Sequence, residues 1–167
     1  MNGAPAGNAV DWLVSAAEDP VACRRAWERD PLGIALLPAG RLWDVLILSG
    51  ALGGTTLEAL HRKTDRPGPV LGDFQDTRVG FFVPAGTAAR RTEPGSVPRG
   101  AGPRTVVRGA GPGAWVAVPY PGRPAGGVRW LVPPDGSGHL TDPAVLDAAM
   151  AEAALRLDRG EVPPPGY

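Results

Sequence analysis

The apolar residues of this chain fall into short, dense runs separated by glycine and proline, a pattern typical of strands. Two such runs, residues 33–37 and 41–48, lie on either side of Pro38-Ala39-Gly40. This break predicts two neighbouring strands joined by a turn. The second run is nearly continuous in apolar residues, as expected of a central strand buried on both faces. Further strands are predicted over residues 70–74, 79–84, 105–108, 114–119 and 127–132.

Capping residues predict two helices before the first strand. Asn8 can cap a helix over residues 9–17. Asp19, with Pro20 at the first helical position, begins a second helix that runs to about residue 29.

Two later capping signals complete the predicted fold. Thr55, with Glu58 three residues on, is a capping box and predicts a helix over residues 56–63. Asp142 before Pro143 predicts a last helix to about residue 160. The fold class that follows is α+β, a mostly antiparallel sheet with packed helices. We divide the chain into a helical segment 1–32, a main domain 33–160 with a mobile loop at 85–103, and a flexible tail 161–167.

Charge is balanced overall but unevenly distributed. The 167 residues carry 17 basic and 17 acidic side chains, which excludes a globally basic coat for nucleic acid. Residues 94–134 nevertheless contain five arginines and no acid, which predicts a local positive surface. Lys63 is the only lysine, and with 24 glycines and 20 prolines this skew indicates a GC-rich coding sequence as a competing reason for the arginines.

The cellular location is predicted from the lack of cysteine pairs, of a signal-peptide pattern and of long apolar runs. Cys23 is the only cysteine, so an internal disulfide is excluded, and its helical position predicts a buried small side chain. The first residues lack the pattern of a signal peptide, and no apolar run reaches the ~20 residues of a membrane span. These features predict a soluble, cytoplasmic protein with no membrane partner.

Four groups of residues suggest chemistry, and each has a simpler interpretation. Gly50, Gly53 and Gly54 between a strand and a helix can cradle phosphate, but the lysine of a phosphate loop is missing and a tight turn explains them as well.

Asp135, Ser137, His139 and Asp142 contain the residue types of a catalytic triad. They lie within eight residues of a turn-rich segment, and the chain has no nucleophile elbow, so a turn is the simpler interpretation. His61, beside Arg62, is expected on an exposed helix surface.

Asp44, Asp73 and Asp76 are the carboxylates near the predicted central strands. If two of them converge they can hold Mg²⁺, which binds oxygen ligands. The alternative is that Asp73 and Asp76 hydrogen-bond their own turn.

Cations and aromatic rings alternate on the strands of the acid-free segment. Arginine can meet phosphate there while rings stack on bases, as in a nucleic-acid groove. Alternation along the strand instead places Trp130 in the core and Arg129 on the opposite face, and Trp115 belongs to an apolar run as well. The residues concerned are Arg108, Trp115, Tyr120, Arg123, Arg129 and Trp130.

Several short motifs follow one another along the chain: Gly33-Ile34-Ala35, the apolar strand 42–48, Gly53-Gly54-Thr55-Thr56-Leu57, the strand 78–84 with Phe81-Phe82, Val107-Arg108-Gly109, the strand 114–119 and Val128-Arg129-Trp130. Taken in order, they resemble the N-terminal domain of bifunctional DNA primase-polymerases of the archaeo-eukaryotic primase type, including small actinobacterial members. The likeness covers about residues 33–133, and order and spacing carry it more than any single motif.

The chain departs from this family at the positions that carry its chemistry. The resemblance implies two metal-binding carboxylates where Leu46 and Leu48 stand, a phosphate-contacting histidine at Val79 and a third carboxylate at Val106. Losing these ligands abolishes two-metal nucleotidyl transfer.

The leading hypothesis is therefore a non-catalytic primase-polymerase-like domain that binds nucleic acid, a nucleotide or a protein partner. Its phosphate contacts are assigned to Arg78, Arg108, Arg123 and Arg129, with no catalytic residue and no cofactor. Two alternatives stay open. One is a protein-binding regulatory domain, and the other is an active enzyme that holds Mg²⁺ through Asp44, Asp73 and Asp76.

Overall fold

The computed structural model describes residues 6–30, 32–73, 75, 77–91, 107–123 and 127–161. Within these residues, five helices and seven strands follow one another. The helices are α1 (Ala6–Val14), α2 (Pro20–Arg29), α3 (Gly50–Lys63), α4 (Thr87–Arg91) and α5 (Pro143–Asp158). The strands are β1 (Ile34–Pro38), β2 (Trp43–Ser49), β3 (Val70–Asp73), β4 (Arg78–Pro84), β5 (Val107–Ala110), β6 (Trp115–Pro119) and β7 (Val128–Val132).

Five strands form one antiparallel sheet in the order β5-β2-β4-β3-β7. The strands β1 and β6 pair antiparallel in a separate two-stranded sheet, which we call the ribbon. The apolar run of β2 is explained by its place between β5 and β4, with its side chains buried on both faces. The predicted α+β class with a mostly antiparallel sheet is confirmed.

The two faces of the sheet are covered by different elements. Trp43 and Val45 of β2 belong to a core that includes α1, Trp27 of α2 and the ribbon, so we call this side the ribbon face. Leu46 and Leu48 point the other way, into a core formed with α3 and α5, which we call the helix face. The segment 1–32 therefore contributes α1 and α2 to the same core as the main domain.

Helix starts agree with the predictions where an aspartate caps the helix. Asp19 Oδ1 accepts a hydrogen bond from Ala22 N at 2.9 Å, and Asp142 Oδ1 accepts one from Ala144 N at 2.8 Å. The predicted cap Asn8 is wrong, because α1 already begins at Ala6.

The capping box at Thr55 is also wrong. The helix α3 begins at Gly50, so Thr55 and Thr56 are completely buried inside it. A glycine at residue 53 allows the first turns of α3 to lie directly on β4, and that packing outweighs the local capping signal.

The predicted loop at 85–103 is partly wrong, since α4 occupies its beginning. Residues 92–103, and residues 162–167 of the predicted tail, lie outside the described residues. Among the helices that the structure describes, none has the length and apolar character needed to cross a membrane.

Candidate functional site

The ribbon leaves one corner of the ribbon face uncovered, at the end of β2 that leads into α3. A cavity of about 340 Å³ lies there, which we call the arginine cavity. Its lining residues are Ile47, Leu48, Ser49, Thr77, Arg78 and Arg108. The cavity is therefore built from three neighbouring strands and from the residue that precedes the first turn of α3.

The register of the strands places the two arginines on the same side. Ser49 pairs with Arg78 of β4, and Ile47 pairs with Arg108 of β5. Because β4 and β5 flank β2 and the two levels differ by two residues, the Cα atoms of the arginines lie about 12 Å apart. Two extended arginine side chains can span this distance and meet on one phosphate group or on two successive ones.

Neither guanidinium in the cavity forms an ion pair or a side-chain hydrogen bond within the part of the chain that the structure describes. Other arginines form ion pairs with acidic side chains. Arg66 contacts Asp135 at 2.6 Å, and Arg156 contacts Glu58 at 3.1 Å. Arg78 and Arg108 are both exposed, so their charge is available to an anionic ligand.

Asp73 lies beside this corner, where it closes the turn between β3 and β4. Its Oδ1 accepts hydrogen bonds from Thr77 N at 2.6 Å and Arg78 N at 3.2 Å. Partial burial favours a raised pKa, but the Thr77 hydroxyl, these backbone N–H groups and the Arg78 charge together lower the pKa of Asp73. Asp73 is thus a turn residue, and Asp76 lies outside the described residues.

The other two arginines assigned to phosphate contact lie elsewhere. The Arg123 guanidinium stacks over the Tyr120 ring at 5.1 Å, in the turn after β6, and Tyr120 packs on Trp27. Arg129 pairs with Gly72 and points to the helix face, where it is half-buried. The structure therefore brings Arg78 and Arg108 together and separates Arg123 and Arg129 from them.

The two tryptophans of the acid-free segment differ in burial. Trp130 lies in the core against Phe82, with ring centroids 5.6 Å apart, and its Nε1 donates to Pro119 O at 2.9 Å. Its predicted place in the core is confirmed. The inward position expected for Trp115 is wrong, because this side chain is 62% exposed on the outer side of the ribbon.

Asp44 is completely buried on the helix face, at the opposite end of β2 from Ser49. Its Oδ2 accepts a hydrogen bond from Ala88 N at 2.9 Å, at the beginning of α4. Asp44 pairs with Val83, five residues along β4 from Arg78, so it lies about 17 Å along the strands from the level of Asp73. Asp44 and Asp73 also face opposite sides of the sheet and do not converge.

Three of the four positions that the resemblance assigns to lost ligands have side chains on the face opposite the two arginines of the cavity. Leu46, Leu48 and Val79 are all buried on the helix face beneath α3 and α5, and Val106 lies outside the described residues. Leu48 borders the cavity as well, but its side chain is completely buried on the other face, so Ile47 and Ser49 are the β2 residues whose side chains share a face with the two arginines. No residue of β2 at the open corner is an acid.

The residues present do not fit a magnesium site. Across residues 6–30, 32–73, 75, 77–91, 107–123 and 127–161, no three His, Cys, Asp or Glu residues group closely enough to hold a metal ion. The weak candidates Asp44 and Asp73 have structural roles at separate places. No step through a metal can be derived from this arrangement.

Asp135, Ser137 and His139 form a turn and not a catalytic triad. The Ser137 hydroxyl bonds to Asp135 Oδ1 at 2.5 Å, while the ring of His139 bonds through Nε2 to the carbonyl oxygen of Arg66 at 2.7 Å. The bond from Ser137, and next that from Arg66, lower the pKa of Asp135 below its usual value. These contacts fasten the segment after β7 to the segment after α3.

Comparisons with protein-family models, with curated protein sequences and with solved structures give no match. The likeness to primase-polymerases therefore depends on the sequence motifs alone.

Ile47, Ser49 and Thr77 were not predicted as site residues. Alternation along β2 was the available signal, because it separates Ile47 and Ser49 from Leu46 and Leu48. The strand pairing that brings β4 and β5 beside them could not be read from the sequence.

Proposed function

We propose that this chain is a non-catalytic, primase-polymerase-like domain that binds the phosphate groups of a nucleic acid or nucleotide at the arginine cavity. The observation that carries the proposal is the pair Arg78 and Arg108, which are exposed in one cavity and form no ion pair within the described residues. Arginine forms strong, forked hydrogen bonds to phosphate, which is the chemistry required of such a contact.

The surroundings of the pair favour backbone recognition over base recognition. Among the residues that the structure describes, no aromatic side chain on which a base can stack lines the cavity. Ser49 at its edge precedes the N-terminus of α3, whose partial positive charge adds to the field of the two guanidinium groups. We therefore expect binding that depends on phosphate charge and hardly on sequence.

The proposal assigns no chemistry to the domain. Carboxylates are absent from the open end of β2, and Asp44 and Asp73 are engaged in the fold as described above. The family likeness supports the proposed class of ligand, and the arrangement of the two arginines supports the proposed place of binding.

Equilibrium binding of a fluorescent single-stranded oligonucleotide at low salt tests the proposal. Loss of one charge-assisted phosphate contact costs about 1.5 kcal/mol, so Arg78→Ala and Arg108→Ala are each expected to weaken binding about tenfold. Arg123→Ala is the matched control and is expected to bind like the wild type. Competition by a free nucleoside triphosphate then distinguishes a nucleotide site from a strand-binding surface.

Absence of binding by the wild-type chain at low salt would remove nucleic acid as the ligand. Equal weakening by all three substitutions would place the contact outside the arginine cavity.

A further inference from the structure

The outer side of the ribbon is apolar throughout. Ribbon residues alternate between a side that joins the core and a side that faces outward. Ala35, Leu37, Val116 and Val118 are the inward ones. The outward positions are Ile34, Leu36 and Pro38 on β1 and Trp115, Ala117 and Pro119 on β6. An antiparallel sheet with one solvated face normally carries polar residues there, and this face has none.

Three large side chains on this face are strongly exposed, with Ile34 at 40%, Leu36 at 62% and Trp115 at 62%. Leu32, two residues before Ile34, is exposed at 71%. Together these four side chains present on the order of 450 Å² of apolar surface, within the roughly 300–600 Å² of the largest patch on a typical monomer. Such a patch is often functional.

A groove borders the patch at the Ile34 end of the ribbon. It has a volume of about 330 Å³ and lies between β1 and one side of α2. Its lining is mostly apolar and includes Cys23, Trp27, Ile34 and Leu36, while Asp30 is the charged residue at its edge among those that the structure describes. The groove is large enough for one indole ring, and Trp115 protrudes at the opposite end of the same ribbon.

We propose that two copies of this chain associate through the outer side of the ribbon, with Trp115 of each copy seated in the groove of the other. A twofold axis that crosses the ribbon near Leu36 exchanges the two ends, and so brings each Trp115 to the end where the other copy's groove lies.

The area of the patch agrees with a pair of this kind. A standard interface buries about 800 Å² per partner, and homodimer interfaces are about 65% apolar, which requires about 500 Å² of apolar surface from each copy. The outward positions of the ribbon carry no charge, so two copies meet here without placing like charges together.

Molar mass measured by light scattering during size exclusion tests the proposal, with protein up to about 100 µM. The wild type is expected to have twice the mass of one chain. Trp115→Ser removes the anchoring side chain and is expected to weaken the dimer at least 30-fold, the usual effect of losing a central aromatic contact. Leu155→Ser, at an exposed site of α5 on the opposite side of the molecule, is the matched control and is expected to remain dimeric.

The single cysteine gives an independent measurement, since Cys23 lines the groove. Alkylation of Cys23 is expected to slow as the wild-type concentration rises and to be independent of concentration in Trp115→Ser. A wild-type chain that stays monomeric, or a Trp115→Ser variant that is as dimeric as the wild type, would overturn the proposal. So would alkylation of the wild type at a rate independent of concentration. None of these measurements involves the arginine cavity, so their outcome is separate from that of phosphate binding.

Discussion

Gly53 and Gly54 are adjacent in α3, yet a methyl group added to each is expected to have opposite effects. An added Cβ at Gly53 meets Val79 Cβ at 2.5 Å and its Cγ2 at 2.6 Å, whereas nothing lies within 4 Å of the corresponding atom at Gly54. Gly54→Ala is therefore expected to stabilise the fold by about 0.5–1 kcal/mol, the helix-propensity gain alone. In Gly53→Ala the same gain is opposed by overpacking of about 1–3 kcal/mol.

The contact at 2.5 Å joins two Cβ atoms that can separate only if α3 moves from β4, which places the overpacking near the upper end of its range. We expect a net loss of about 1–2 kcal/mol for Gly53→Ala, so that the two variants differ by about 2–3 kcal/mol. Urea denaturation of both variants measures this difference. A double variant that also carries Val79→Ala is expected to recover part of the loss caused by Gly53→Ala, because the clashing side chain is gone. Equal stabilities of the two alanine variants would refute the placement of Val79 beneath α3, and with it the assignment of that position to the helix face.

Two further predictions concern aspartates that shape local structure. Asp142→Ala removes the hydrogen-bond acceptor for Ala144 N and Val145 N at the start of α5. We expect this variant to lose about 1 kcal/mol in the free energy of unfolding measured by urea denaturation. Asp158→Ala, at the other end of α5, is the control and is expected to lose no stability, because an acid at a helix C-terminus opposes the helix dipole. The pKa of Asp73 is lower in the folded state than in the unfolded state, so the ionised carboxylate stabilises the fold. This stabilisation is fully present above the unfolded-state pKa and is lost as the pH falls through the lower folded-state pKa. Asp73→Asn is therefore expected to be less stable than the wild type at neutral pH, with a difference that shrinks below about pH 4; a difference independent of pH would contradict the role given to the Asp73 charge.

Much of the fold could be predicted from local signals. The strands follow from dense apolar runs, and the helices that begin after Asp19 and Asp142 follow from side chains that cap the first turn. These signals act between residues close in sequence, so they do not depend on the rest of the molecule. The start of α3 could not be predicted in this way, since it depends on the close approach of Gly53 to Val79 across two elements.

The candidate site shows the same division. Arg108 could be selected because it lies on a predicted strand within the segment without acids, and Arg78 because it begins the strand 78–84 of the family resemblance. The separation of Arg123 and Arg129 from them follows from the sheet order and from the β3–β7 pairing, which brings Arg129 opposite Gly72 on the helix face. The exposure of Trp115 was missed because an apolar strand is normally buried on both faces, and an apolar ribbon that faces outward gives the same sequence pattern.

The salt dependence of oligonucleotide binding tests the central claim most directly, namely that Arg78 and Arg108 together form the phosphate contact. Each phosphate neutralised on a single strand contributes about 0.7 to the slope of log K against log salt concentration. The account predicts that the double variant Arg78→Ala, Arg108→Ala has a slope about 1.4 smaller in magnitude than that of the wild type, whereas Arg123→Ala has the wild-type slope. The same slope for the wild type and for the double variant would contradict it.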